Sequence, residues 1–391
     1  MSTMERSTGR WSHLPDELVG MVRSRIASMG DRVRFLAVCK SWRAAASREP
    51  APPAAPLLLL SLWAGLEKKH MCVPDGSWVF RVPSKADDKR FLGSHDGGWV
   101  VAFDSHVLTV VNLFSGVEVA LSPKQSRPAL FMNNIQKIIF SQHPTSSNGC
   151  ILAAIVENRS HIALCRLGCP EGEWTTYGRR EWTTGWRKKV IFDIAFCNGE
   201  LYGLMGESES ESELLVNFEI GAKKDGTPVI ITNHELPIQR PYSTNNCSPY
   251  ARYIFELHGK PWMAVMTRWL PNCEPFFRVF KLVDAGTDEV GEAEVTSFDD
   301  YALFLGPRWS KAVHMPVGVR HHSPERNHVY YSTYSPENKS SGDEVYSVTS
   351  NHGTYIEMCC KKDQNIEDGV DKIGYYVSAR NDAVWLLPPD L

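Results

Sequence analysis

The sequence predicts a mostly β protein: a small three-helix module at the N-terminus, followed by a single β-propeller domain. Three observations carry this. Apolar residues recur at helical spacing only near the start of the chain. From Leu57 onward, short apolar runs alternate with turn residues. No long helical pattern interrupts those runs, which disfavours a parallel α/β sheet.

The first module spans about residues 11–49. Leu14, Leu18, Met21, Val22 and Ile26 recur at three- and four-residue steps, the spacing of one buried helix face. Pro15 suits a first turn, where its missing N–H costs nothing, and Asp16 and Glu17 complement the positive helix end. Gly30 is expected to end this segment and Asp31 to cap the next, whose apolar face runs through Val33, Leu36, Ala37, Cys39 and Trp42. So few residues cannot bury a large core, and a module of this size calls for a partner surface. Residues 50–56 form a Pro/Ala linker, with prolines at 50, 52, 53 and 56, that reads as a semi-rigid spacer.

The remainder, 57–391, reads as short strands. Expected strands include Leu57–Trp63, Trp99–Phe103, Val107–Leu113, Val117–Leu121, Lys137–Phe140, Ile151–Val156 and His161–Leu167. The series goes on with Val190–Phe196, Glu200–Met205, Leu214–Ile220, Val229–Thr232, Tyr253–Leu257 and Trp262–Thr267. Phe277–Val283, Ala302–Leu305, Val329–Ser332 and Ala383–Leu387 complete it. Asp96-Gly97-Gly98, Ser115-Gly116, Asn198-Gly199 and His258-Gly259 mark turns between them. Many short antiparallel strands need an architecture that hides their edges, and radial blades do so within one large domain. Two tandem β-sandwiches would need a linker, and none divides 57–391.

The bulk numbers set limits. Of 391 residues, 42 are Lys or Arg and 45 Asp or Glu, a net charge of −3, so the basic excess that nucleic acid calls for is missing. The polar start lacks the apolar stretch of a signal peptide, and the run Ala54–Leu60 is far too short to span a bilayer. A cytoplasmic or nuclear chain without membrane contact is expected, and its ten irregularly spaced cysteines read as reduced thiols.

Two segments carry a resemblance. Leu14-Pro15-Asp16-Glu17-Leu18-Val19, followed by Val33 through Val38-Cys39-Lys40-Ser41-Trp42-Arg43, resembles the F-box in order and spacing. Asp96-Gly97-Gly98-Trp99-Val100-Val101, Val110 through Gly116, Phe192-Asp193-Ile194-Ala195-Phe196 with Asn198-Gly199-Glu200-Leu201-Tyr202, Phe280-Lys281-Leu282-Val283, Ala302 through Gly306 and Asn327 through Tyr331 resemble the plant KIB-type propeller family. Asn112 is followed here by Leu113 where that family usually has proline, a departure affecting one turn. The resemblance implies a substrate-recognition subunit of a Skp–cullin–F-box ubiquitin ligase. Its F-box would dock a Skp-type adaptor, and through it a cullin, while the propeller binds a protein target. The positions matching the adaptor-facing ones are Leu14, Pro15, Leu18, Val38, Cys39 and Trp42, with Trp42 as the expected anchor. The alternative is a ligase-independent propeller scaffold with a degenerate F-box.

Catalytic signatures are missing: there is no Gly-x-Ser-x-Gly elbow and no phosphate-binding Gly-x-x-x-x-Gly-Lys. His234-Glu235 opens like a zinc-protease helix, but Pro237 and Ile238 break the pattern. Cys165 and Cys169, and the pairs Cys359-Cys360 and His321-His322, lack the spacing of a structural zinc site. The expectation is a non-enzyme with no cofactor and no metal. The run Glu207–Glu213 alternates Glu and Ser and reads as a solvated loop. Around it, Trp174, Tyr177, Trp182, Trp186 and Arg187 mix rings and cations. Trp182, Trp186 and Arg187 are the target-binding candidates, against the plainer reading that such tryptophans pack between blades.

Overall fold

The computed structural model describes residues 11, 14–26, 29–48, 55–62, 70–72, 79–81, 89–104, 107–128, 135–156, 159–169, 171–178, 189–207, 213–239, 249–267, 276–286, 289–295, 297–315, 324–334, 345–349, 355–359, 371–377 and 381–389. Three short helices come first: α1 (Asp16–Arg23), α2 (Met29–Ala37) and α3 (Lys40–Ala46). Pro15 precedes α1 in extended geometry, with Asp16 and Glu17 in the first turn, where carboxylates oppose the helix dipole favourably. The expected boundary at Gly30 is wrong. The Ser24 hydroxyl and the Arg25 guanidinium both donate to the Met21 carbonyl, at 3.0 and 2.7 Å, satisfying the last turn early. Helix α1 therefore stops at Arg23, and Gly30 and Asp31 lie inside the first turn of α2.

The strands follow in chain order. The first seven are β1 (Leu57–Leu62), β2 (His70–Cys72), β3 (Val79–Arg81), β4 (Arg90–His95), β5 (Trp99–Asp104), β6 (Val107–Asn112) and β7 (Glu118–Val119). A single capped turn, α4 (Pro123–Ser126), leads to β8 (Lys137–Phe140), β9 (Ile151–Val156), β10 (His161–Arg166) and β11 (Thr175–Tyr177). Next come β12 (Lys189–Cys197), β13 (Glu200–Glu207), β14 (Glu213–Ala222), β15 (Pro228–Gln239), β16 (Pro249–Leu257), β17 (Lys260–Thr267), β18 (Phe276–Gly286) and β19 (Glu289–Val295). The last group is β20 (Tyr301–Leu305), β21 (Lys311–His314), β22 (His328–Tyr334), β23 (Val345–Thr349), β24 (Tyr355–Cys359), β25 (Asp371–Val377) and β26 (Asn381–Leu386).

These strands form five radially packed sheets, the β-propeller that the strand pattern predicts. Antiparallel meanders dominate. Three pairings are parallel instead, β15 with β19, β20 with β22 and β22 with β25, and they depart from the all-antiparallel expectation. The first of them spans two residues and joins the meanders β12–β15 and β16–β19 into one eight-stranded sheet. Ring closure comes from the chain ends: β26 pairs along all of β1, from Leu57 opposite Leu386 to Leu62 opposite Asn381. The core lies between neighbouring sheets. Leu57, Phe91, Phe304 and Trp385 pack together in one layer, and Trp99, Ile138, Leu152 and Cys165 in the next. Where the family's usual proline is replaced by Leu113, the turn is held by Asn112. Its Oδ1 accepts from the N–H groups of Phe114 and Ser115, and its Nδ2 donates to the Gly97 carbonyl.

Strand β4 was not expected, because Gly93 and Ser94 interrupt its apolar run. Glycine is there for proximity. A Cβ at position 93 would lie 1.8 Å from the Ile138 carbonyl oxygen, so β4 and β8 approach more closely than any side chain allows. The acidic run also departs from expectation at its end. Glu213 is buried at the start of β14, paired with Arg252 of β16, whose guanidinium lies 4.1 Å from the Phe192 ring centroid.

Two predictions follow from this packing. Gly93→Ala is expected to cost about 1–3 kcal/mol or more, because strands or carbonyl must move, and the urea midpoint reads it. His95, at the end of β4, rests on Phe140 with ring centroids 5.4 Å apart. Burial pushes its pKa down from 6.5 to about 4, with Lys311 and His143 adding and Asp96 opposing. The unfolded chain therefore binds the proton first. Stability contributed by neutral His95 is complete above pH 6.5 and is lost as pH falls through 4, on the order of 3 kcal/mol at most. The melting-temperature drop between pH 7 and pH 4 is expected to shrink in His95→Gln; an unchanged drop would count against it.

Candidate functional site

The helical module organises itself around one tryptophan. Val19 of α1, Phe35 of α2 and Trp42, Ala45 and Ala46 of α3 form a small buried cluster. The Trp42 and Phe35 rings sit 4.7 Å apart, and the Trp42 Nε1–H donates to the Trp11 carbonyl at 2.9 Å. Cys39 caps α3, its Sγ accepting from the Trp42 N–H at 3.4 Å. The buried Arg32 side chain donates to the Ile26 carbonyl at 3.0 Å, tying α2 to the end of the preceding turn. An exposed ion pair, Arg48 with Asp16, links the two ends of the module.

The structure separates the sequence-predicted adaptor residues into two kinds. Trp42 is interior, only 9 % exposed, so it holds the three helices together and is not the surface anchor expected of it. Leu14 and Cys39 are half-buried against the same cluster. Pro15, Leu18 and Val38 face solvent, Leu18 and Val38 at 45 % and 51 % exposure. Sequence reasoning placed Met21 and Val22 on the buried face of α1 and Val33 on that of α2; all three are exposed. Helix α1 instead buries Val19, Gly20 and Arg23. The signal was present: Leu18, Val19, Met21 and Val22 cover more of the helix circumference than one stripe against a core needs. A second apolar face is surplus to the module's own folding.

On the propeller, Trp174 packs between sheets, its Nε1–H donating to the Gln125 carbonyl at 2.9 Å. The target-binding candidates Trp182, Trp186 and Arg187 lie outside the described residues. His234 and Glu235 lie on strand β15, where they cannot form the helical metal motif. Cys150, Cys165 and Cys197 are buried free thiols raised above their usual pKa by burial, the opposite of a reactive nucleophile. Among the described residues no group of three or more His, Cys, Asp or Glu is placed to hold a metal ion.

The fold is that of a β-propeller protein preceded by a small helical module with an exposed apolar face. The chain belongs to the KIB1-4 beta-propeller family, whose model matches residues 71–358. It is also similar to an F-box protein of Arabidopsis thaliana, 32 % identical over 110 residues, which cover 25 % of this chain and 24 % of that protein. The match thus spans about a quarter of the relative's length. Among solved structures, the crystal structure of the N-terminal domain of Nup159 aligns with 78 % of this chain and 70 % of its own. Its TM-score is 0.31 and its identity 10 %.

Removing the interior tryptophan is expected to unfold the module alone. Trp42→Ala should cost about 3–5 kcal/mol, more than three short helices can lose. Limited proteolysis of the full chain should then cut within residues 14–48 while the propeller's melting transition stays in place. Wild-type protection of that segment in the variant would contradict the interior role.

Proposed function

We propose that the chain is the target-selecting subunit of a Skp–cullin–F-box ubiquitin ligase. The helical module docks a Skp-type adaptor, which joins it to a cullin, and the propeller holds the protein to be modified. One observation carries the reading. Of the eight large hydrophobic side chains exposed among the described residues, six (Trp11, Leu18, Met21, Val22, Val33 and Val38) belong to the helical module. Scattered apolar residues on a surface mean little, but this concentration within a few tens of residues marks a contact surface. The likeness to an F-box protein and the F-box pattern at 14–43 support the identity of the partner.

In this role the chain works by proximity. Holding a target beside a charged ubiquitin carrier raises its effective concentration, into the mM range for short flexible linkers, and a stiff Pro/Ala spacer narrows the geometry. No residue of the chain forms a covalent intermediate, no cofactor takes part, and the complex works in cytoplasm or nucleus without a membrane or nucleic-acid partner.

The docking face can be tested without disturbing the fold. Leu18→Glu with Val38→Glu places charges at exposed positions, so the variant should melt like wild type. Calorimetric titration of a Skp-type adaptor into the full chain is expected to give submicromolar binding, weakened at least about 100-fold in the variant by two desolvated charges. Absence of binding by the folded wild-type chain would sink the ligase reading.

A further inference from the structure

The propeller carries a polar pocket whose lining is set by cross-strand register. Tyr202 lies opposite Asn217, and Asn217 opposite His234. Leu201 lies opposite Phe218, so the residues next to them, Glu200 and Glu219, come one cross-strand step apart, and Glu219 lies opposite Thr232. Side chains alternate along a strand, so these two rows leave the sheet on one face. It is the face on which the next row, Leu204, Leu215 and Leu236, packs against Ile254, Met263 and Phe280 of the neighbouring meander. The polar rows are the continuation of that contact between the two meanders. They line an open pocket of about 440 Å³ at which Glu200, Asn217, Glu219, Thr232 and His234 converge.

The charges there are unbalanced. Glu200 is held in one orientation, its Oε2 accepting from the Tyr202 hydroxyl at 2.6 Å and from Asn217 Nδ2 at 3.3 Å. The Glu219 carboxylate has no hydrogen bond or ion pair among the described residues. Like charges directly opposite on adjacent strands destabilise a sheet, and among the described residues no Lys or Arg pairs with either carboxylate. The pocket thus offers an oriented carboxylate, a second one across from it, and amide, hydroxyl and imidazole groups around them.

We propose that this pocket binds an arginine side chain of the target polypeptide. A guanidinium carries five N–H donors in a planar fork, enough to reach both carboxylates at once, and its charge relieves their repulsion. The proposal rests on the reading of the propeller as the target-binding part of the chain, and it names the chemistry that part selects.

The test titrates the full chain with the blocked peptide acetyl-Gly-Arg-Gly-amide, and with its citrulline analogue, which keeps the shape and loses the charge. Saturable binding of the arginine peptide is expected, weakened roughly tenfold or more in Glu200→Gln and in Glu219→Gln, and lost with citrulline. Glu219→Gln should also melt no lower than wild type, since it removes a facing like charge, so misfolding cannot mimic the loss. Both variants should bind the Skp-type adaptor as wild type does, which separates this test from that of the helical face. Equal affinity for the two peptides, equal affinity in wild type and both variants, or no saturable binding at millimolar peptide would each overturn the proposal.

Discussion

Asp193 is the joint on which the ring depends. Its carboxylate lies within β12, just past an irregularity in the β12–β13 register. Oδ1 accepts from Lys137 Nζ of β8 at 2.6 Å and from the Ile194 N–H at 2.9 Å, while Oδ2 accepts from the Ile254 N–H of β16 at 3.1 Å. Both charged side chains are almost wholly buried, at 3 % and 6 % exposure, so each carries a large desolvation cost. The pairing and the two backbone donors offset that cost. An apolar pair of equal volume could match the pair in stability. What it could not supply is direction, because only one alignment of β8, β12 and β16 satisfies all these donors together.

Closure of the ring uses the same logic at the other side. Strand β26, from the end of the chain, completes the sheet that β1 begins, so the two ends of the propeller stabilise each other through one ladder. Trp385 centres this contact, fully buried, with its Nε1–H donating to the Leu305 carbonyl at 3.1 Å. The Ser94 hydroxyl donates in turn to the Trp385 carbonyl, which ties the closing sheet to β4. The linker that leaves the helical module runs directly into β1, so the module is tethered to the sheet that closes the ring.

The two candidate surfaces differ in chemistry for a physical reason. A propeller of this size buries its apolar residues between sheets and exposes strand ends and turns, which are largely polar. The module of α1 to α3 has too few residues to bury all of its own apolar side chains and keeps Leu18, Met21, Val22, Val33 and Val38 in water. As proposed, an adaptor would cover the apolar face and a target would meet the anionic pocket, so neither partner competes for the other's groups.

The mostly β class, the helical start and most strands were legible in the residues themselves. Lys137–Phe140 and Ile151–Val156 match expectation to the residue, the first carried by the apolar run Ile138–Phe140 and the second apolar throughout. Strands without such a run were missed: β4 is broken by Gly93, and β19 carries three glutamates among seven residues. The F-box-like pattern located the helical face, yet did not say which of its residues point outward, since Trp42 and Leu18 both look apolar in sequence and only packing sends one in and the other out. Glu213 seemed part of a solvated acidic run until a long-range partner, Arg252, buried it. By itself the sequence determined what local chemistry can decide: period, turns, caps and composition. Tertiary structure alone decided which distant groups meet, as Asp193 meets Ile254 and Glu200 stands across from Glu219, because register and ring closure join residues whose spacing along the chain carries no trace of the contact.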